Sequence, residues 1–218
     1  VRDDTVTGAA HLEGVSLDSP AISAWATEVA AYDPGMEAEA YTETAAALGP
    51  ASRNATSVLV LGRGGSVTLT FAEAIGNGEG AEIAIFENGL GTEEELFGEL
   101  AYVELSSDGS EFVRFPVRCE RAEPIGAYGR FDTADYDGFA GVHPAGVGTA
   151  FDFGEVADLS AVTDGAVDLA KVRYIRLVDV VGDGSELDGE GRSIYDPYPT
   201  TGTAGFDLAG VARLGGKR

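Results

Sequence analysis

Short apolar runs separated by glycine-containing turns constrain the fold of this 218-residue chain more than any other feature. Residues 66–71 place Val67, Leu69 and Phe71 on one face, as expected of a half-buried strand. Comparable apolar runs lie at 57–61, 81–86, 102–106, 112–115, 172–178 and 205–211, and Ser107-Asp108-Gly109-Ser110 predicts a hairpin turn. The pattern predicts a mainly β, antiparallel β-sandwich that forms a single domain over residues 1–218.

One segment near the start of the chain has a helical pattern instead. Ser19 is a typical N-cap residue and Pro20 suits the first helical position. Apolar residues then recur at i, i+3, i+4 and i+7, on one face of a helix: Ile22, Trp25, Ala26 and Val29. We therefore predict one short N-terminal helix at about 19–32, a β core at about 57–212, and long loops within 121–170.

The charge balance limits the kinds of partner. The formal net charge is −23, from 37 acidic residues against 14 Lys and Arg. Nucleic acid and anionic membrane surfaces would repel such a chain. Only two of the basic residues are Lys, a balance that is also expected of a protein adapted to high salt, so acidity alone does not identify a partner. No apolar run is long enough to span a membrane, and no leader pattern follows Val1, so any signal peptide lies outside this sequence.

No sequence motif indicates an enzyme. Cys119 is the only cysteine, which excludes an intramolecular disulfide and favours a buried thiol over a nucleophile. Residues 62–65 (Gly-Arg-Gly-Gly) lack the spacing of a phosphate-binding loop, and no G-x-S-x-G elbow is present. We expect a non-enzymatic protein. A polysaccharide-acting hydrolase that uses two carboxylates remains an alternative, because the sequence does not select one pair.

The region after the strand at 172–178 is rich in carboxylates. Seven of them fall between Asp179 and Asp207, against one arginine. Their mutual repulsion is costly unless water, salt or a cation screens it, and oxygen ligands on a flexible loop suit Ca²⁺. The alternative is a solvated acidic loop. We predict a Ca²⁺ site formed by a subset of six residues: Glu87, Asp179, Asp183, Asp188, Asp196 and Asp207.

A ligand surface is predicted beside this metal site. Tyr195 and Tyr198 bracket Asp196-Pro197 and offer rings that can stack on a sugar or another flat ring. Arg192 supplies hydrogen-bond donors, and Asn88 follows the strand at 81–86, where a sandwich builds its loops. The predicted ligand is a carbohydrate or another small molecule. The alternative for both tyrosines is packing over the edge of the sandwich.

Six segments of the chain together carry a family resemblance. The chain resembles bacterial secreted "cell surface protein" domains, which often have a C-terminal sorting or anchoring segment, over roughly residues 25–212. The blocks that carry the resemblance are VLVLGRGGS (58–66), NGEGAEIAIFENG (77–89), AYVELSSDGSEFVRF (101–115), YIRLVDVVGDGSELD (174–188), GRSIYDPYP (191–199) and GTAGFDLAGV (202–211). At the level of the fold, 103–115 and 174–180 are similar to galactose-binding-like jelly rolls, in which a structural Ca²⁺ is common.

The resemblance implies a location and a class of function. It implies an extracellular or cell-surface module, stabilised by Ca²⁺, that presents a loop surface to a glycan or small molecule. Some surface proteins of this general type sit beside outer-membrane uptake systems, so capture of a bulky cofactor such as cobalamin next to an outer-membrane partner is a second hypothesis. A purely structural or adhesive module is a third hypothesis. The resemblance fixes the fold more closely than the activity.

Overall fold

Two antiparallel sheets face each other in the computed structural model, which describes residues 14–215. The strands of the first sheet are, in spatial order, β1 (Gly14–Ser16), β13 (Val147–Phe151), β6 (Ile83–Glu87), β17 (Asp207–Leu214) and β2 (Ile22–Trp25), with β4 (Leu59–Val60) also paired to β17. Those of the second sheet are β10 (Val113–Arg114), β9 (Ala101–Ser106), β14 (Val172–Asp179), β5 (Ser66–Ile75) and β3 (Glu28–Asp33). The predicted mainly β, antiparallel sandwich is confirmed.

The remaining elements are short and lie in the loops. Three two-stranded ribbons pair β7 (Leu90–Thr92) with β8 (Glu95–Phe97), β11 (Arg118–Cys119) with β12 (Tyr136–Asp137), and β15 (Asp183–Leu187) with β16 (Ser193–Tyr195). One α-helical turn, α1, covers Ser160–Thr163, and 3₁₀ turns cover Thr44–Ala47, Thr133–Asp135, Phe153–Val156 and Leu169–Lys171. None of the helices in residues 14–215 is both long and apolar enough to cross a bilayer.

The main core lies between the two sheets. Val67 and Leu69 of β5 are fully buried and pack in one cluster with Ile83 of β6 and Ile175 of β14. Successive side chains of a strand point to opposite faces, so the alternation seen in the sequence becomes the inner face of the sandwich. The predicted strands at 66–71, 81–86, 102–106 and 172–178 all contribute to this core.

The predicted N-terminal helix is wrong. Residues 22–25 form β2, which pairs with β17, and residues 28–33 form β3, which pairs with β5 in the other sheet. The chain changes sheets between them, because the amide of Ala26 donates to Val211 and that of Thr27 donates to Thr70. The apolar spacing that suits one helix face also suits two short strands that bury side chains in different clusters. Pairing of these strands with β17 and β5 outweighs the helical preference of the segment.

Long loops do occur within 121–170, but this region also contains a sheet strand that the sequence did not predict. Residues 147–151 form β13, a strand of the first sheet between β1 and β6. Its sequence, Val-Gly-Thr-Ala-Phe, contains small residues and gives a weak alternation. Gly148 lies against the ring of Phe86, so the small residue that weakened the sequence pattern is what lets the two strands approach closely.

A second apolar cluster supports the loops at one end of the sandwich. It contains Leu96, Leu100, Phe131, Tyr136 and other residues, mostly from the ribbons and loops between the strands of the two sheets. The rings of Phe131 and Tyr136 meet edge to face at 4.9 Å. Because these loops have their own packed core, the polar side chains they carry are held in place.

A candidate cation site at one end of the sandwich

Two acidic side chains meet where β6 ends and β17 begins. Glu87 is the last residue of β6 and Asp207 is the first of β17, and the antiparallel register places Glu87 opposite Leu208. Glu87 is only 3 % exposed, and Asp207 is partly buried. The strand pairing therefore brings together two carboxylates that are 120 positions apart in the chain.

Two further carboxylates reach the same region from loops. Glu99, just before β9, is 6 % exposed, and its Oε1 accepts a hydrogen bond from the amide of Gly205 at 3.1 Å. Asp196, just after β16, is 2 % exposed, and its Oδ2 accepts from the amide of Leu100 at 2.9 Å. We refer to Glu87, Glu99, Asp196 and Asp207 as the carboxylate cluster.

Three oxygens of the carboxylate cluster are buried without a hydrogen-bond partner: Glu87 Oε2, Asp196 Oδ1 and Asp207 Oδ1. Within residues 14–215, no lysine or arginine forms an ion pair with any of the four side chains. A buried carboxylate without a compensating charge costs several kcal/mol, so it must either take up a proton or meet a cation.

The electrostatics of the cluster show the same deficit of positive charge. Burial is the largest cause that raises the pKa of Glu87, Glu99 and Asp196 well above the ordinary values, and it raises the pKa of Asp207 to about 6. Repulsion from Asp207 and Asp196 raises the pKa of Glu87 further, and both also raise the pKa of Glu99. The four carboxylates thus interact with one another as a group of like charges.

Asp179 lies beside the cluster but is already satisfied. Its Oδ2 accepts from the amide of Gly64 at 2.8 Å and its Oδ1 from the amide of Phe206 at 2.7 Å. Burial nevertheless raises the pKa of Asp179 to about 8, and its charge raises the pKa of Glu99 and Asp196. Asp179 therefore ties the segment before β17 to the end of β14, behind the cluster.

Gly205 makes this close approach feasible. Its φ is +76°, and a Cβ there would lie 2.6 Å from Asp179 Oδ1 and 2.6 Å from the carbonyl oxygen of Gly62. Only glycine fits a position that combines positive φ with backbone contact on this scale. The backbone amide of Gly205 donates a hydrogen bond to Glu99 Oε1.

A cavity of 140 Å³ opens beside the cluster. Carboxyl, hydroxyl and amide side chains line it together with Tyr128, which is 69 % exposed. The lining residues are Glu87, Asn88, Phe97, Gly98, Glu99, Tyr128, Thr200, Thr201, Thr203 and Asp207. The donors are almost all oxygens, which suits a hard cation such as Ca²⁺ and does not suit zinc or copper.

The carboxylates alone do not complete a metal site. In the described part of the chain, no three His, Cys, Asp or Glu side chains converge into a set that could hold an ion. Ca²⁺ takes about six to eight oxygen ligands, and backbone carbonyls, hydroxyls and water commonly supply several of them. Glu87, Glu99 and Asp207 line the cavity together with three threonines, whereas Asp196 does not, so an ion there would need further oxygens from the backbone or from water.

Four of the six predicted metal-site residues lie in this region, and two do not. Glu87, Asp196 and Asp207 belong to the cluster, and Asp179 lies behind it. Asp183 is exposed, and its Oδ1 accepts from the amide of Ser185 at 2.8 Å. Asp188 accepts hydrogen bonds from the amides of Cys119 and Arg192 and from the Arg192 guanidinium, and hydrogen bonding lowers its pKa to about 2.

Of the predicted ligand residues, only Asn88 lines the cavity, and its Nδ2 is held by Ala55 O and Asp207 Oδ2, both at 2.9 Å. Arg192 is engaged by Asp188 and Glu190. The ring of Tyr195 lies against Gly184, while Tyr198 lies under the Arg63 guanidinium, 5.1 Å from ring centroid to Cζ. Arg192, Tyr195 and Tyr198 are each half-buried and in contact with other residues of the protein.

Glu99 is the residue that sequence reasoning missed. It stands between Gly98 and the apolar strand β9, in a stretch with several other glutamates. The available signal was its position, because a carboxylate directly beside a buried strand, as in Glu87, is placed at the end of the sandwich where loops gather.

Comparison of the sequence with protein-family models and with curated proteins finds no match.

Proposed function

We propose that this chain is a non-enzymatic, extracellular or cell-surface binding module whose fold is stabilised by Ca²⁺ at the carboxylate cluster. The observation that carries the proposal is the set of three buried carboxylate oxygens without a partner, on Glu87, Asp196 and Asp207. The resemblance to secreted cell-surface domains supports the location outside the cell, where free Ca²⁺ is abundant.

A bound cation would join segments that are far apart in sequence. Glu87 ends β6, Asp207 begins β17, Glu99 precedes β9 and Asp196 follows β16. An ion shared by these segments replaces repulsion with attraction, and binding to the folded state alone adds its binding free energy to stability. Ca²⁺ is preferred over Mg²⁺ because it accepts irregular sets of oxygens, whereas Mg²⁺ requires near-octahedral geometry.

Thermal and urea unfolding in CaCl₂, MgCl₂ and EDTA, each at low and high NaCl, tests this proposal. At a hundredfold excess over Kd, Ca²⁺ is expected to raise the unfolding free energy by about 2.7 kcal/mol, and the rise should persist at high NaCl. Asp207→Asn should lose most of the Ca²⁺-dependent rise. The matched control, Asp183→Asn, changes an exposed aspartate outside the cluster and should keep it.

Two results would count against a cation site. If NaCl or MgCl₂ stabilises the protein as well as CaCl₂ does, the acidic residues act only as a screened surface. If Asp183→Asn loses the Ca²⁺ response and Asp207→Asn keeps it, the ion binds the outer loop and not the cluster. Equilibrium dialysis of Ca²⁺ against each variant gives the stoichiometry independently of stability.

One observation favours a second candidate, a polysaccharide hydrolase. Glu99 and Asp207 line the same cavity and both have a raised pKa, which is what a general acid requires. The cavity of 140 Å³ is smaller than the roughly 300–1,000 Å³ of typical ligand pockets, which favours an ion over an enclosed sugar. Incubation with a polysaccharide panel decides: product that disappears in Glu99→Gln would establish the hydrolase.

A further inference from the structure

A second cavity, of 520 Å³, lies at the end of β6 opposite the carboxylate cluster. Its volume falls within the roughly 300–1,000 Å³ of typical small-molecule pockets. The edge strand β2, the second half of β5, the loop that leads to β6 and the last residues of β17 line it. No residue of the carboxylate cluster is among the lining residues, so this cavity is a separate place on the molecule.

One wall of the 520 Å³ cavity is an irregular part of β5. This strand pairs with β14 at Thr70 and again at Ile75, but only one residue of β14 lies between the partners of these two. Residues 71–74 therefore form a bulge, and a bulge bends a strand and changes the direction of its side chains. Phe71 and Ile75, at the two ends of the bulge, belong to the main core and also line the cavity. This wall is therefore apolar.

The β17 side of the same cavity carries a positive charge. Arg213 follows Val211 by two residues and lies opposite Ile83 of β6, and both of these apolar residues are fully buried between the sheets. Since alternate residues of a strand share a face, Arg213 extends from the inner face of the sandwich. It is half-buried and lines the cavity.

Arg213 is not neutralised by the part of the chain that the structure describes. Most arginines of residues 14–215 form ion pairs with carboxylates, but Arg213 does not. Arg130 and Arg173 also lack an ion pair in this range, but both are exposed, where water solvates the charge. A half-buried guanidinium at a cavity is instead suited to accept an anion from outside.

The two carboxylates that line this cavity do not take that role. Glu82 is buried, and its oxygens accept hydrogen bonds from the amides of Gly78 and Phe153, both at 2.7 Å. Glu73 is exposed and forms no ion pair with a residue of 14–215. The guanidinium of Arg213 thus keeps its hydrogen-bond donors for a ligand.

We infer that the 520 Å³ cavity binds a small carboxylate with an apolar body, of the kind of a short fatty acid or an arylacetic acid. The apolar body covers Phe71 and Ile75, and the carboxylate accepts hydrogen bonds from the guanidinium of Arg213. A cation would be repelled by this guanidinium, and a neutral apolar ligand would cover it without a partner. The inference does not rest on the proposed cation site.

Fluorescence of Trp25 tests the inference at the cavity itself, because this residue is the only tryptophan of the chain and lines the cavity. The probes are octanoate and phenylacetate, with octanamide and phenylacetamide as neutral controls of nearly the same shape. Titration in 0.15 M NaCl screens the repulsion between an anion and the net charge of −23. At least one acid should change the fluorescence saturably and bind at least tenfold more tightly than its amide, with calorimetry giving the stoichiometry.

Three variants separate the charge from the shape of the cavity. Arg213→Gln should abolish the preference for the acid over the amide, because it removes the charge and keeps a polar side chain. Arg118→Gln is the matched control, since it removes the same charge from an exposed residue outside the cavity, and it should keep the preference. Ala72→Phe fills the cavity from an exposed position on β5 and should weaken the binding of acid and amide alike.

Three results would overturn the inference. The first is that neither acid changes the fluorescence of Trp25 or gives a heat of binding. The second is equal affinity for acid and amide in the unchanged protein, which needs no variant to fold. The third is a preference for the acid that Arg213→Gln keeps or that Arg118→Gln loses equally. Because the cavity and the carboxylate cluster lie at opposite ends of β6, loss of the Ca²⁺ response in Asp207→Asn should leave acid binding unchanged.

Discussion

The two ends of β6 each carry a buried glutamate, and the protein satisfies them differently. Glu82, just before the strand, is 6 % exposed, and its two carboxylate oxygens accept hydrogen bonds from the amides of Gly78 and Phe153, both at 2.7 Å. Glu87, at the other end, is 3 % exposed and leaves Oε2 without a partner. Burial is the main cause that raises the pKa of both groups.

The two ends of β6 also differ in cavity size, and the larger cavity lies at the end whose glutamate is satisfied. The cavity beside Glu82 measures 520 Å³ and is lined by Trp25, Phe71 and Arg213 among others, whereas the one beside Glu87 measures 140 Å³. Cavity size alone therefore selects the end where the buried carboxylate is already satisfied. The unpartnered oxygen is the better indicator of a cation site, because it records a cost that the protein alone does not remove.

A third buried glutamate is neutralised by arginine side chains. Glu104, on β9, is 5 % exposed and forms ion pairs with Arg114 and Arg176 of the neighbouring strands. The chain thus uses backbone amides for Glu82 and guanidinium groups for Glu104. At Glu87 the described part of the chain provides neither for Oε2, so this carboxyl group either carries a proton or, as we propose, meets an external cation.

The largest expected effect is a fall in the free energy of unfolding as pH rises. The pKa is raised from 3.8 to about 6 for Asp207 and to about 8 for Asp179, so the folded state binds more protons than the unfolded state at intermediate pH. Stability that is present at low pH is therefore lost as pH rises through these values. In EDTA, the rise for Asp207 alone corresponds to about 3 kcal/mol.

Urea unfolding between about pH 4 and pH 8, with EDTA and with CaCl₂, measures this loss. Ca²⁺ is expected to remove the part of the fall that belongs to the carboxylate cluster, because it binds the ionised carboxylates. The part that persists in Ca²⁺ should belong to Glu82, at the other end of β6, and to Asp179, which lies outside the cluster, since the pKa of both is raised. An identical pH dependence in EDTA and in CaCl₂ would contradict the cation site.

Matched substitutions at the two ends of β6 should differ in how their stability responds to Ca²⁺. Glu87→Gln removes a charge from the cluster, so the variant should be as stable as the unchanged protein in EDTA but lose most of the Ca²⁺-dependent stabilisation of about 2.7 kcal/mol. Glu82→Gln places an amide group against two backbone donors and should cost about 1–3 kcal/mol whether or not Ca²⁺ is present. Chemical unfolding of both variants in each buffer distinguishes the patterns, and a Ca²⁺ response lost in Glu82→Gln alone would reverse the assignment.

The smallest expected effect concerns the backbone behind the cluster. Gly205→Ala adds a Cβ that would meet Asp179 and Gly62 at a φ of +76°, and should cost roughly 2 kcal/mol or more. Gly202→Ala is the control, since its φ of +80° is similar but nothing lies within 4 Å of the added Cβ, and it should cost about 1 kcal/mol. Tm values with and without Ca²⁺ compare them, and equal losses would show that contact with Asp179 is unimportant.

The strands and the turns between them were largely predictable because their signals are local. The alternation at 66–71 and the hairpin at 107–110 depend on residues a few positions apart. The helix at 19–32 was wrong because one apolar spacing fits both a helix face and two strands in different sheets. The strand at 147–151 was missed because its glycine packs against Phe86, a contact with a residue 62 positions away.

The sequence by itself determined that this protein forms an acidic antiparallel sandwich and that carboxylates gather after the strand at 172–178. Only the tertiary structure decided which carboxylates meet. Asp183 accepts a hydrogen bond from an amide two residues away, and Asp188 accepts from Arg192 and from the distant amide of Cys119, so both are satisfied outside the cluster. Glu87, Glu99, Asp196 and Asp207 meet because strand pairing and loop packing join distant segments, and no local pattern records which oxygens such an assembly leaves buried and without a partner.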